Sequence, residues 1–297
     1  MAEIIKQIKI SDTNYDIHAA TADIAEIADI ANNATNDGDG HDISETYMTV
    51  ENPTGTGYFS MNKGDGDPGE YSFCVGEACK ATGFTSQAIG YCTTASGETA
   101  HAEGSFTTAT GYAAHTEGSG TEAEGNFSHA EGGATIAQGD YSHAEGSFTT
   151  ATGLTAHAEG RETEASGDNS HAEGGYTKAT ATNAHAEGFH AEATGLNSHA
   201  EGYYTKTIGS GSHAEGCGTV AEYPYVHVQG TYNTHDSEGI FAHIIGNGTE
   251  ENPSNAHTVD WDGNAWYAGD MSLGGNSLTI GGATLTYESS GLLRLSF

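Results

Sequence analysis

From residue 69 to residue 230, small and variable residues alternate in stretches of five that each close on a glycine. Stepping by seven from Gly69 to Gly230 visits 24 positions, and 22 of them are glycine, the exceptions being Ala181 and Tyr223. The residue two before the glycine is nearly always Ala, and the residue four before it is Ser, Thr or Ala. A period of two is that of a β-strand with one face turned inward, and glycine permits an unusual backbone conformation at a corner. The pattern therefore predicts short strands joined by tight corners.

Two kinds of heptad alternate along this region, as AHAEG (residues 100–104) and TTATG (residues 107–111) illustrate. The two kinds differ at their outward positions, and two strands with two corners form one coil that is two heptads long. Stacked 14-residue coils predict an all-β protein, a parallel β-roll, in which every outward residue recurs on the next coil.

One outward face carries a regular series of His and Glu residues. A roll lined with Ala, Ser and Thr buries little apolar area, so we expect a single chain to be marginally stable. Since the other outward face varies in sequence, we expect the uniform face to be a self-association surface. The equivalent positions of the first two coils hold Phe73 and Val75, then Gln87 and Ile89, which is a more apolar version of the same face. The predicted interface series is His101, Glu103, His115, Glu117, His129, Glu131, His143, Glu145, His157, Glu159, His171, Glu173, His185, Glu187, His199, Glu201, His213, Glu215 and His227.

Histidine next to carboxylate also suits zinc. The repetition favours a simpler interpretation, in which His and Glu of different chains pair and neutralise each other where both are partly buried. We expect no metal and no cofactor.

Three segments, SFCVG (residues 72–76), SQAIG (residues 86–90) and SHAEG (residues 128–132), resemble the repeats of YadA-like head domains of trimeric autotransporter adhesins. The resemblance covers residues 69–230. It implies a left-handed parallel β-roll in a homotrimer, with the exchanged His and Glu residues facing the three-fold axis.

The flanking regions divide the chain into four predicted parts. Residues 1–50 form an attachment segment, with a strand at EIIKQIKI and a short helix carrying Ile24, Ile27 and Ile30. Residues 51–68 are a linker or entry, residues 69–230 the repeats, and residues 231–297 a C-terminal β cap, or tip domain, with a hairpin turn at Asp262-Gly263. The segments TNYDIHAA (residues 13–20) and HTVDWDGNAWYAGD (residues 257–270) resemble phage and prophage tail proteins. This resemblance implies that the N-terminus docks to a tail or baseplate protein and that the C-terminus points outward.

Composition excludes several classes of partner. Among 297 residues there are 8 Lys plus Arg against 41 Asp plus Glu, a formal charge of -33, which disfavours nucleic acid and anionic lipid. No apolar run is long enough for membrane insertion, and no signal peptide stands out, so we expect soluble expression in the cytoplasm. The cysteines lack paired C-x-x-C spacing, and we expect reduced thiols at Cys74, Cys79, Cys92 and Cys217.

Motifs for catalysis are lacking, since the sequence contains neither H-E-x-x-H nor G-x-S-x-G, and we expect a protein that is not an enzyme. The favoured function is a tail fibre or receptor-binding protein of a phage or phage-derived particle, located in the virion tail and bound to a host surface glycan or protein. A trimeric autotransporter adhesin is the alternative, but its export signal and membrane anchor are not recognisable here. A glycan-depolymerising tail spike is the third possibility.

Aromatic residues supply candidate receptor contacts. Trp261, Trp266 and Tyr267 fall in the predicted hairpin, where packing of the hairpin itself is the competing explanation. A second set falls at predicted corners, where covering the coils is favoured over stacking on sugars: Phe106, Tyr112, Tyr141, Phe148, Tyr203 and Tyr204.

Overall fold

A computed structural model describes the backbone of residues 7–10, 13–16, 48–51, 58–62, 69–269, 277–280, 283–287 and 293–296, and the side chains of residues 69–269. All regular elements in these ranges are β-strands, so the predicted all-β class is confirmed. The helix predicted around Ile24, Ile27 and Ile30 lies outside the described residues. The chain divides into two compact units, Met1–Asn183 and Ala184–Phe297.

The first unit contains a parallel sheet of long strands, one from every coil. Each strand pairs in register with the next, so that His129 lies opposite His143 and Glu131 opposite Glu145. This pairing confirms the parallel β-roll with 14-residue coils. The long strands of this unit are Ser72–Glu77, Gln87–Tyr91, His101–Ser105, His115–Ser119, His129–Gly133, His143–Ser147, His157–Arg161 and His171–Gly175.

A second parallel sheet of the first unit is built from short strands, which form the other side of each coil. Its hydrogen bonds continue past the strands themselves, as the backbone N–H of Gln138 donates to the carbonyl of Ala151 at 2.8 Å. The short strands of this unit are Lys80–Ala81, Thr94–Ala95, Thr108–Ala109, Glu122–Ala123, Ile136–Ala137, Thr150–Ala151, Glu164–Ala165 and Lys178–Ala179.

The inside of each coil is lined by small side chains from both sheets. Ala130 and Ala144 of long strands and Ala137 of a short strand are fully buried. Ser128 is also buried, and its hydroxyl donates to the carbonyl oxygen of Gly125 at 2.6 Å. A coil this narrow leaves no room for larger side chains. The available volume therefore explains why the inward positions, predicted from the period of two, hold small residues.

Glycine at the end of each long strand is required by the spacing of the coils. Gly132 has a φ of +104°, and a Cβ added there would overlap the backbone carbonyl of Gly146 on the next coil. The neighbouring Gly133 has open space around the same position. The seven-residue glycine period therefore marks the places where one backbone lies directly against another.

The prediction of four reduced thiols is wrong for two of the four cysteines. Cys74 and Cys79 form a disulfide, with Cα atoms 6.1 Å apart, while Cys92 and Cys217 are free and half-buried. Cys74 faces inward on a long strand, and Cys79 lies on the opposite wall of the same coil, with both side chains buried. Sequence spacing rules miss this pair because the corner of the coil, and not a C-x-x-C turn, brings the two residues together.

The N-terminal part of the first unit adds antiparallel strands. Gln7–Ile10 pairs with Thr13–Asp16, and Met48–Glu51 pairs with Tyr58–Asn62. Tyr58–Asn62 also pairs antiparallel with Ser72–Glu77, the first long strand. The region predicted as a linker or entry thus supplies a strand that covers the edge of the first coil, which would otherwise expose unpaired backbone groups.

The second unit repeats the roll. Its long strands are His185–Phe189, His199–Tyr203, His213–Cys217 and His227–Thr231, and its short strands are Glu192–Ala193, Lys206–Thr207 and Val220–Ala221. Phe241–Asn247 continues the parallel sheet with His227 opposite His243, so the last step is slightly longer than two heptads. The core at this end contains larger residues, with Val226, Val228 and Ile244 buried and Phe241 packed against them.

Antiparallel strands follow the roll in the second unit, within the region predicted as a β cap. Asn255–Asp260 pairs with Phe241–Asn247, and Ala265–Tyr267 pairs with Asn255–Asp260. The backbone N–H of Gly263 donates to the carbonyl of Asp260 within the connecting turn, at the Asp262-Gly263 sequence expected for a hairpin. A separate antiparallel sheet consists of Ser277–Ile280, Ala283–Tyr287 and Leu293–Ser296.

Candidate functional site on the long-strand face

The outward surface of the long strands, here called the long-strand face, carries the predicted His and Glu series. In a strand such as His129–Gly133, Ala130 points inward and is fully buried, so His129 and Glu131 must point outward. Both side chains are about one third exposed. The His and Glu residues therefore share one outward face within each unit.

The histidines of this face form stacked columns. The rings of His129 and His143 are nearly parallel, at 1° between planes, with centroids 4.8 Å apart. The same arrangement recurs in the second unit, where the rings of His199 and His213 lie 4.8 Å apart at 3°. In-register parallel pairing causes this stacking, because identical residues on adjacent strands are separated by one strand spacing.

Each histidine lies beside the glutamate of its own strand. The Nε2 atom of His129 is 3.8 Å from a carboxylate oxygen of Glu131, and the corresponding distance between His199 and Glu201 is 3.7 Å. These distances exceed the range of a hydrogen bond. The structure therefore places His and Glu side by side on one strand without a direct hydrogen bond between them.

The Nε2 atoms of the stacked histidines are shielded from solvent. Those of His129, His143 and His199 are buried, and they form no hydrogen bond with any part of the chain that the structure describes. Burial lowers the pKa of His129 below its usual value, and the neighbouring His115 and His143 lower it further. Burial also lowers the pKa of His101 and His199, again reinforced by adjacent histidines.

Successive long strands of the face, here called rungs, bring together groups of three side chains that could hold a metal ion. In each such group the three ligand atoms lie within 4.8 Å of one another, and all three residues are half-buried. The sequence predicted these residues as one series, with His and Glu as partners across chains. The groups are Glu117, His129 and Glu131; Glu131, His143 and Glu145; His157, Glu159 and His171; His185, Glu187 and His199; and His199, Glu201 and His213.

The predicted receptor residues Trp261, Trp266 and Tyr267 belong to the C-terminal hairpin of the second unit. All three are about half exposed. The indole N–H of Trp261 donates to the carbonyl oxygen of Gly239 at 3.2 Å, and the ring of Tyr267 lies 4.5 Å from that of His257. Each of these two residues therefore has a packing contact as well as an exposed surface, which is compatible with both interpretations of the hairpin.

The corner aromatics are more exposed than the expectation of corner covering implies. Phe106, Phe148 and Tyr141 are each about 60% exposed. Two of them contact other rings at the corners: Phe106 forms a T-shaped pair with Tyr91 at 5.2 Å between centroids, and Tyr141 stacks on Phe127 at 5.0 Å. The inward positions of the narrow coil hold only small residues, so a large ring at a corner remains outside.

One aromatic cluster of the second unit was not recognised as a group from the sequence. Phe189, His190, Tyr203 and Tyr204 lie on two successive corners, and the rings of His190 and Tyr204 stack at 4.6 Å. Tyr203 and Tyr204 meet edge to face, also at 4.6 Å, and each is about half exposed. The signal was present as two aromatic pairs that stand one coil apart in the sequence.

The short strands present a different outward surface, here called the short-strand face. Its residues vary from rung to rung, and opposite charges meet where Lys178 lies 3.3 Å from Glu164 and Lys206 lies 2.7 Å from Glu192. These pairs are exposed, so solvent screens them. Among the described residues, no helix has the length and apolar character that crossing a membrane demands.

Comparison with known proteins yields no match: neither a protein-family model nor a curated protein is similar to this chain.

Proposed function

We propose that this chain is the subunit of a homotrimeric fibre, of the kind found in phage or phage-derived tails, that attaches the particle to a bacterial surface. The observation that carries the proposal is the long-strand face, which repeats the same two residues at one-strand spacing along each unit. A repeated face of this kind matches copies of itself related by rotation about an axis parallel to the stack. The resemblance to YadA-like heads supports three copies.

The thin core supports assembly. The buried side chains of the regular coils are Ala, Ser and Thr, which bury little apolar area per residue. On the long-strand face the side chains of His129 and Glu131 are about one third exposed, and the Nε2 atom of His129 is buried without a hydrogen bond in the part of the chain that the structure describes. Packing against two further copies would remove more of this face from water and offer the carboxylates new partners.

The attachment role rests on exposed aromatic side chains. Trp261, Trp266 and Tyr267 on the hairpin present rings to solvent, as do the corner residues Tyr203 and Tyr204. Aromatic rings are large, rigid contact surfaces and are frequent in binding sites for proteins and sugars. The receptor in this proposal is a host surface glycan or protein, and the N-terminal segment contacts a tail or baseplate protein.

The fibre in this proposal has no catalytic activity and needs no cofactor. An abundance of carboxylates, 41 in the chain, gives a glycan-cleaving pair no distinguishing position. Incubation with host surface polysaccharide should leave its chain length unchanged. Turnover in that assay would favour the tail-spike function instead.

Light scattering coupled to size exclusion tests the assembly. We expect a mass of three times the 30.6 kDa chain. A double variant of the long-strand face, Glu131→Lys with Glu145→Lys, should shift the protein toward smaller species because it changes the charge of the interface. The matched variant of the other face, Glu122→Lys with Glu124→Lys, makes the same change in net charge and should stay trimeric. A wild-type protein that is monomeric at every concentration would refute the trimer.

Binding to whole bacterial cells tests attachment. The fluorescently labelled full chain should remain on host cells after washing, and Trp266→Ala should reduce the retained signal at least several-fold while leaving the mass unchanged. Retention that is equal for both proteins would exclude Trp266 as a receptor contact, and no retention on any strain tested would contradict attachment.

A further inference from the structure

The long-strand face holds nitrogen and oxygen ligands at a separation that fits a metal ion better than it fits a hydrogen bond. The Nε2 atom of His143 and a carboxylate oxygen of Glu145 are 3.8 Å apart. Zinc binds imidazole nitrogen at about 2.0–2.1 Å and carboxylate oxygen at about 2.0–2.2 Å, so tetrahedral ligands lie roughly 3.4 Å from each other. A shift of a few tenths of an ångström would bring this pair to the zinc-binding separation.

A third ligand comes from the adjacent rung of the same chain. Glu131 lies on the strand before His143 and Glu145, and the ligand atoms of all three lie within 4.8 Å of one another. The parallel register sets Glu131 opposite Glu145 and His129 opposite His143, so Glu131 and His143 are diagonal neighbours on adjacent strands. Two carboxylates and one imidazole give three protein ligands. That is the number found in zinc sites that keep a fourth position for water.

The state of the histidine nitrogens is an independent observation that points to a ligand. The Nε2 atoms of His129, His143 and His213 are buried and make no hydrogen bond within the described part of the chain. Buried polar atoms in proteins are normally paired, and an unpaired one requires an explanation. A cation between Nε2 and the carboxylate would satisfy both groups at once and would offset the repulsion between carboxylates on successive rungs.

We propose that the long-strand face binds divalent first-row cations of the zinc type between adjacent rungs of a single chain. Mixed imidazole and carboxylate ligands suit zinc, whereas calcium and magnesium prefer oxygen ligands alone. Neighbouring groups share residues, Glu131 in the first unit and His199 in the second, so two groups that share a ligand do not fill together. Among the described residues, full occupancy is then two ions in the first unit and one in the second, three in all.

The site lies within one chain and does not depend on the trimer. A protein that is trimeric but binds no zinc would contradict this proposal and leave the proposed function intact. A protein that binds zinc but remains a monomer would support the zinc proposal and contradict the trimer of the proposed function.

Equilibrium dialysis of the full chain tests the proposal. Chelator-treated protein is dialysed against Zn²⁺ in the presence of excess Ca²⁺. The bound zinc is then measured by inductively coupled plasma mass spectrometry. We expect up to three zinc ions per chain, retained despite the calcium. Binding that calcium abolishes would show an adventitious association with surface carboxylates and would overturn the proposal.

Two single substitutions that each remove one carboxylate provide the matched comparison. Glu131→Gln alters two candidate groups on the long-strand face and should lower the bound zinc by about one ion per chain. Glu122→Gln on the short-strand face should leave the stoichiometry unchanged. Equal effects of the two variants would overturn the proposal.

Two further measurements guard against misfolding and identify the ligands. Circular dichroism checks that each variant is folded. If Glu131→Gln is not folded, His143→Gln replaces it, because that substitution removes a candidate ligand without changing the formal net charge. Co²⁺ in place of zinc should give the intense visible absorption of a low-coordinate site in the wild-type protein, weakened in His143→Gln. An unchanged spectrum in that variant would exclude the histidine as a ligand.

Discussion

The two faces of each coil share one interior but differ outside. The long-strand face repeats His and Glu with stacked rings, whereas the short-strand face changes from Thr150 to Glu164 to Lys178 on successive rungs. Both sheets contribute fully buried alanines to the same narrow core. Packing therefore dictates the inward positions equally on both sides, while some other requirement keeps only one outward face uniform. Assembly and cation binding are the requirements proposed above.

The largest expected effect tests the shared interior at a glycine. Gly132→Ala would drive a Cβ into the carbonyl of Gly146 at a φ of +104°, so we expect a loss of unfolding free energy on the order of 3 kcal/mol or more. Gly133→Ala, one residue later, has open space and should change stability by less than about 1 kcal/mol. Thermal or urea unfolding of the two variants measures the difference. Similar stabilities would mean that adjacent coils do not approach as described.

A substitution on each wall of the core should show that the two faces are equivalent inside. Ala144→Leu on a long strand and Ala137→Leu on a short strand each add volume at a fully buried position, and each should cost about 1–3 kcal/mol. The outward change Ile136→Leu serves as the control and should cost less than about 0.5 kcal/mol. Urea unfolding compares the three, and a tolerated Ala144→Leu would show that the coil is wider than observed.

Acidification should distinguish the faces, because in the described part of the chain the column of stacked, half-buried histidines lies on the long-strand face. Burial and neighbouring histidines lower the pKa of His129 in the folded chain below the ordinary value of 6.5. Below about pH 6.5 the unfolded chain therefore takes up protons that the folded chain does not, and stability falls as the pH falls. The groups that face His129 are His115, His143, Glu117 and Glu131.

Melting temperature measured in chelator between pH 7.5 and about 5 checks this expectation. The wild-type protein should lose stability across this range, and the double variant His129→Gln with His143→Gln should lose less. A wild-type melting temperature that rises on acidification would contradict the direction of the pKa shift.

The smallest effect is expected from ion pairs on the short-strand face. Lys178 lies 3.3 Å from Glu164, and both side chains are substantially exposed. Lys178→Ala should therefore reduce the unfolding free energy by less than about 0.5 kcal/mol. Urea unfolding at low and high salt measures this, and a loss above about 1 kcal/mol would indicate that this face is buried in an assembly.

Much of the fold was predictable because one residue type dominates each structural position. The glycine at every seventh position, the inward Ala130 and the outward His129 and Glu131 all follow from the period of two within a strand and from the need for close backbone contact at the corner. The candidate site was predictable in its membership. Its internal arrangement was not, since the sequence does not say whether His129 meets a glutamate of its own strand, of the next rung or of another chain.

The sequence by itself determined the coil of two heptads, the inward and outward faces and the strong negative charge, because these depend on periodicity and composition alone. The tertiary structure decided the pairing of Cys74 with Cys79, which depends on two walls of one coil meeting across a narrow core. It also decided the burial of the histidine nitrogens and the exposure of the corner aromatics. These properties depend on how side chains of neighbouring coils cover one another. The sequence of a single strand does not show those contacts.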